Sequence, residues 1–146
     1  MKRDIETRED LEFLLTEFYK IAVVDSEIGH HFAELDLAAH LPIIADFWEK
    51  VLFGKPIYFR NPLAIHQKLN EKSPLKLEHF QHWFEIFTET ADKIFAGEMT
   101  DNAKLRAKMI AHSLNEKIYS KNQKANLLTL QVFSTDYYLC ISKNTP

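Results

Sequence analysis

The chemistry open to this chain starts with its seven histidines. His66 lies in the stretch PLAIHQKLN, with Leu63 and Leu69 three residues to either side. On a helix that spacing puts all three on one face, so the imidazole points where the apolar side chains point. A neutral imidazole placed there has two ring nitrogens to satisfy. One can donate its N–H to a backbone carbonyl while the other gives a lone pair to a metal or accepts a hydrogen bond. On the residue alone both uses stay open, since a core histidine is more often hydrogen-bonded than ligating. His40 is a second candidate for an inward ring, one turn before Ile44. A histidine on each of two helices flanking an aromatic slot is the layout of a haem pocket, one ring on iron and the other near the open coordination position.

The remaining histidines carry less. His79 and His82 stand three apart in EHFQH, a spacing that could hold zinc, but no third ligand appears at suitable spacing and the segment is expected on the solvated side. His30-His31 reads as a surface turn, and His112 receives no role. Eleven phenylalanines and two tryptophans gather mainly on two of the long helices and the loop between them. Such aromatics either pack a core or face a flat apolar ligand, and composition alone favours the core.

Helical signals place these residues. Thr7 with Asp10 forms a capping pair before Leu11, Leu14, Leu15, Phe18, Tyr19, Ala22 and Val23, which recur at helical spacing through about residue 24. Asp25 to Gly29 reads as a connector, followed by at most one helical turn. A second long helix starts near Asp36 or Leu37 and stops at Gly54, with Pro42 requiring a late start or a kink. Pro62 opens the short helix that carries His66. A third long helix spans about Leu77 to Ala96, closed by Gly97, and a fourth is expected after Thr100 or Asp101 as cap, carrying Leu105, Met109, Ile110, Leu114 and Ile118. Beyond Tyr119 no period survives. The expected organisation is a helical domain over residues 1–120 and a tail over 121–146.

With 146 residues the chain suits a single domain that buries a core without disulfides. Three glycines and five prolines are too few for an all-β fold with a turn every 8–12 residues or so. The formal charge of −3, with no basic stripe, argues against nucleic acid. Cys140 is the single cysteine, which rules out an internal disulfide and any CxxC site. No apolar run approaches the roughly 18 residues of a membrane span. A cytoplasmic protein is the expectation.

Taken together, EFYKIAVVDSEIGHHF, HLPIIADFWEKVLFG, LAIHQKLNEKSP, EHFQHWFEIF and KMIAHSLNEKI resemble, in order and spacing, the truncated haemoglobins of the third group, over about residues 4–118. The resemblance implies an all-α, globin-like fold, a two-over-two helical sandwich around haem b. It implies His66 as the proximal iron ligand, Tyr19 as the distal hydroxyl that hydrogen-bonds a diatomic ligand, and Trp83 as a pocket tryptophan whose indole N–H points at that ligand. His40 matches the distal-helix histidine, a gate or pocket wall, and Phe18 and Ile44 match apolar pocket positions. Phe47 belongs to the same motif, and Leu63 and Leu69 flank the ligand position on its helix. The loop before His66 offers Tyr58 and Arg60 for the propionates, with Lys68 close by; an ordinary solvated charge is the equal alternative. The glycine-rich loops of other truncated-globin groups are missing, as they are in this third group. Oxygen, nitric oxide or carbon monoxide would be the ligand. A reductase is a possible partner, and storage, sensing and nitric oxide or peroxide chemistry are not separable from the residues. The alternative is a haem-free helical interaction module whose aromatics are only core.

Overall fold

The computed structural model describes residues 1–122. Among them are five α-helices, α1 (Arg8–Ala22), α2 (Leu37–Phe53), α3 (Pro62–Lys72), α4 (Leu77–Ile94) and α5 (Glu98–Asn122), with one 3-10 turn at Gly29–Phe32. The expected tail beyond residue 120 lies outside the described residues except for the end of α5, and Cys140 lies outside them too. Among the described residues no helix is long and apolar enough to cross a membrane.

Local chemistry sets each helix start. The Thr7 side chain accepts from the Asp10 N–H, and the Asp10 carboxylate returns a bond to the Thr7 N–H, the reciprocal capping box read from the sequence. Asp36 caps α2 through the Ala39 N–H, and Asn61 caps α3 through the Ala64 N–H, with Pro62 at the first helical position. Gly54 closes α2 at φ 69°, a left-handed conformation that costs a glycine nothing. Pro42 lies inside α2, which runs on through it to Phe53. The helix starts at Leu37, so the expected late start is not seen, and Pro42, its sixth residue, leaves the Ala38 carbonyl without its usual intrahelical donor.

One helix boundary departs from expectation. α5 begins at Glu98, not after Thr100, because its cap comes from the far end of the sequence. The Asp4 carboxylate accepts from the N–H groups of Met99 (2.9 Å) and Thr100 (2.8 Å) and from the Thr100 hydroxyl (2.7 Å). Gly97, at φ 144°, lets the backbone pass against Asp4; a Cβ there would lie 2.4 Å from the Asp4 Cγ.

Two helix pairs, α1 with α2 and α4 with α5, pack through α1 on α4, and α3 leans on α5. The main core runs through Leu11, Leu14, Phe18, Ala22, Ala45, Trp48, Phe87 and Ala91, all buried. A smaller cluster of Phe80, Ala111, Leu114 and Ile118 lies at the other end, with Leu63 against it, and Trp83 touches both clusters. Arg8 ties α1 to α2 by donating to Asp46 (2.6 Å), Glu49 (2.8 Å) and the Pro42 carbonyl (3.0 Å). Buried Glu49 also receives Lys55, so its charge is paired twice.

Candidate functional site

Tyr19 and Phe18 come from the buried face of α1. Phe18 is fully buried and makes edge contacts with Tyr19 (centroids 5.0 Å), Trp83 (5.9 Å) and Phe87 (5.9 Å). Phe32 from the 3-10 turn closes on Tyr19 at 5.5 Å. Phe87 stacks between Trp48 (5.0 Å) and Trp83 (5.5 Å). The site therefore has one continuous aromatic wall on α1, α2 and α4, with Tyr19 and Trp83 joined through Phe18. Burial pushes the Tyr19 phenol up to about 12, so it remains an O–H donor at neutral pH.

His66 stands on α3, and its Nδ1 lies 2.7 Å from the Pro62 carbonyl oxygen. A carbonyl only accepts, so Nδ1 carries the proton and Nε2 keeps its lone pair. Burial lowers the affinity of the ring for a second proton, against the opposing pull of the Pro62 carbonyl, which keeps the imidazole neutral. No residue of α3 is buried; Leu63, His66 and Leu69 are half-buried, with Leu63 on the cluster that Trp83 also touches. An apolar stripe on a helix that protein does not fully cover is a surface able to take a flat apolar group.

The other expected residues divide. Ile44 and Phe47 are half-buried on α2 against the main core, and Phe47 also makes edge contacts with Trp48 and Tyr58. Arg60 and Lys68 are exposed. His40, expected to face inward, is exposed: its Nδ1–H donates to the Asp36 carbonyl (2.9 Å), folding the ring back along the first turn of α2. Two further expectations fail for the histidines. His79 and His82 are half-buried, not solvated, and His30-His31 is not merely a surface turn. The His82 Nε2 lies 2.7 Å from Asp25, and the His31 Nε2 lies 3.3 Å from the His79 Nδ1, so the connector is fastened to α4 by its histidines. The EHFQH segment gives no local sign of these contacts, because the partners lie 48 and 57 residues away.

Two surface clefts lie elsewhere, one of about 560 Å³ beside Arg8, Glu49 and Lys55 and one of about 170 Å³ beside Ile21, Ile86 and Ile94. The aromatic wall and His66 are not part of either lining.

No family profile matches the chain. The Group 3 truncated hemoglobin ctb of Campylobacter jejuni is 27% identical over 125 residues, covering 82% of this chain and 96% of that protein. The crystal structure of the group III truncated hemoglobin from Campylobacter jejuni superposes with a TM-score of 0.73 at 27% identity, covering 83% of this chain and 98% of that one. The chain has the all-helical fold of that group III truncated haemoglobin and is similar to it in sequence along most of its length. A truncated haemoglobin implies a haem cofactor and the binding of diatomic gases. The donor set of this chain fits a haem: a neutral imidazole on α3 whose Nε2 keeps its lone pair, and two N–H or O–H donors on an aromatic wall.

Proposed function

We propose that the protein binds haem b through His66 and reversibly takes oxygen or another diatomic gas at the haem iron. The observation that supports this reading is the His66–Pro62 hydrogen bond, which puts the ring proton on Nδ1 and leaves the Nε2 lone pair for a metal. Haem supplies an iron centre with one coordination position left for a small ligand. The single cysteine provides no CxxCH attachment pair, which favours the non-covalently held b type. Leu63 and Leu69 on α3, with Ile44 and Phe47 on α2, offer apolar contact to the two faces of a porphyrin. Arg60 stands exposed on the loop before α3 and would be the partner of a propionate.

On the distal side Phe18 holds Tyr19 and Trp83 in one wall. The phenol O–H and the indole N–H would each donate to a ligand that gains negative charge, for about 0.5–1.5 kcal/mol net per bond and more where charge is involved. His40, at the exposed rim of α2, would act on access as a gate and not as a donor. Two donors favour retention over delivery, so the reading leans to chemistry on a held ligand, with a reductase as electron source, over transport. A single cysteine in the sequence suits a reducing cytoplasm.

The test is the absorption spectrum of the purified full-length chain. An intense Soret band that shifts on reduction and again on addition of carbon monoxide is expected. Colourless protein that takes up no added haemin would instead support the haem-free helical module.

A further inference from the structure

His30, His31 and His79 stand together on the connector and the first turn of α4. One nitrogen from each ring lies within 4.8 Å of the other two. The His31 Nε2 and the His79 Nδ1 are 3.3 Å apart, and ring centroids are separated by 4.0 Å for His30–His31, 4.8 Å for His31–His79 and 5.6 Å for His30–His79. We propose that His30, His31 and His79 form a binding site for a divalent transition-metal ion of the Zn²⁺ class, separate from His66.

The spacing is that of ligands. Two nitrogens bound to Zn²⁺ at about 2.0–2.1 Å with a tetrahedral angle between them stand about 3.3–3.4 Å apart, so His31 and His79 already span one tetrahedral edge. His30 is exposed, so a rotamer change brings its ring in without disturbing the core. Three imidazoles suit Zn²⁺, Cu²⁺ or Ni²⁺ by ligand softness and leave a fourth tetrahedral position to water.

His31 supplies an independent sign. Its Nδ1 is buried and has no hydrogen-bond partner among the described residues, while its Nε2 faces another imidazole nitrogen. Seating an ion on Nε2 therefore displaces one hydrogen bond of this ring, the one to His79, and disturbs no other.

A cation seated between His31 and His79 replaces the proton that now lies between them. His31 shifts that proton to Nδ1, both rings remain neutral ligands, and no net charge is lost to solvent. The Lys76 N–H, which now donates to the His79 Nδ1 at 3.0 Å, is released when that nitrogen ligates. Lys76 is exposed, so water can satisfy the freed N–H. The His82–Asp25 bond meanwhile keeps the connector on α4, holding His30 and His31 opposite His79 before any ion arrives.

The experiment is Zn²⁺ titration of the full-length protein as purified against a chromophoric zinc chelator, with far-UV circular dichroism on each variant. One Zn²⁺ per chain is expected. His31→Ala and His79→Gln should each weaken it by at least about tenfold, as loss of a ligand or its support does in metal sites. His112→Gln should leave it unchanged. His30→Ala, at an exposed position, gives the same reading should His31→Ala fail to fold. Absence of stoichiometric zinc, or zinc retained in all three site variants, would overturn the proposal. Zinc lost in His66→Ala but kept in the His30 and His79 variants would also overturn it, by placing the ion on α3. Because the readout is zinc and not haem, failure of the haem assignment leaves this result interpretable.

Discussion

Removing the carboxylate of Asp4 should destabilise the whole fold, although the residue lies four positions from the amino terminus. Three groups at the start of α5 donate to it, the Met99 N–H, the Thr100 N–H and the Thr100 hydroxyl, and the Ile5 N–H adds a fourth bond at 2.8 Å. Loss of a helix N-cap costs about 0.5–2 kcal/mol. Thr100 is only 1% exposed, so its hydroxyl loses its acceptor out of reach of water, a further cost of about 1–3 kcal/mol. The sum for Asp4→Ala is about 1.5–5 kcal/mol, which at roughly 2–4 °C per kcal/mol for a chain near this size lowers the Tm by roughly 3–20 °C. Asp4→Asn keeps an oxygen and should lose less than half as much. Thermal unfolding followed by circular dichroism at neutral pH checks both. A change under about 0.5 kcal/mol in Asp4→Ala, the range of ordinary surface substitutions, would refute the long-range cap.

Tyr19→Phe and Trp83→Phe should each speed oxygen release about five- to tenfold in stopped-flow mixing, the equivalent of one lost bond of about 1–1.5 kcal/mol, and the double variant should depart from the sum because both rings share Phe18. His40→Leu should change the association rate more than the dissociation rate, since the exposed ring acts on access. Acid should unfold the chain as pH falls below about 4, the unfolded carboxylate range. The Arg3 hydrogen bond holds Asp10 well below that range, and at Asp4 the donors from Thr100 and Met99 outweigh the burial that would raise it. In urea melts Asp10→Asn should flatten that acid limb. His82 has the opposite sign: its hydrogen bond to Asp25 raises it, so its contribution is complete below about 6.5 and fades as pH rises through the elevated value. Asp25→Asn should remove that alkaline-side loss.

What the sequence made readable was periodic and local. The capping box of Thr7 and Asp10, the Gly54 stop, Pro62 at the start of α3 and the shared face of Leu63, His66 and Leu69 each depend on residues within one or two turns, where spacing alone carries the physics. The tautomer of His66 follows from the same locality, since Pro62 is one turn upstream. What escaped was decided across the chain. The true start of α5 depends on a carboxylate 95 residues away, and no local signal near Thr100 announces it. His40 has the spacing of an inward residue yet stands exposed in the first turn of α2, and its local hydrogen bond does not mark the difference, because the half-buried His66 makes the same bond one turn back. The histidines on the connector and α4 looked solvated because each was weighed within its own segment, where no partner stands. Folding brings Asp25 to His82 and His31 to His79.

The central claim is that His66 holds the haem iron, and the most direct measurement is haem occupancy of His66→Ala by absorption against protein mass, together with its reduced and carbon monoxide spectra. The Nε2 lone pair is the feature lost in that variant, while the aromatic wall of Phe18, Tyr19, Trp83 and Phe87 lies on other helices and is expected to stand. Most of the haem should be lost, with the helical circular dichroism of α1, α2, α4 and α5 preserved. Haem occupancy equal to that of the parent protein with an unchanged ferrous spectrum would contradict it.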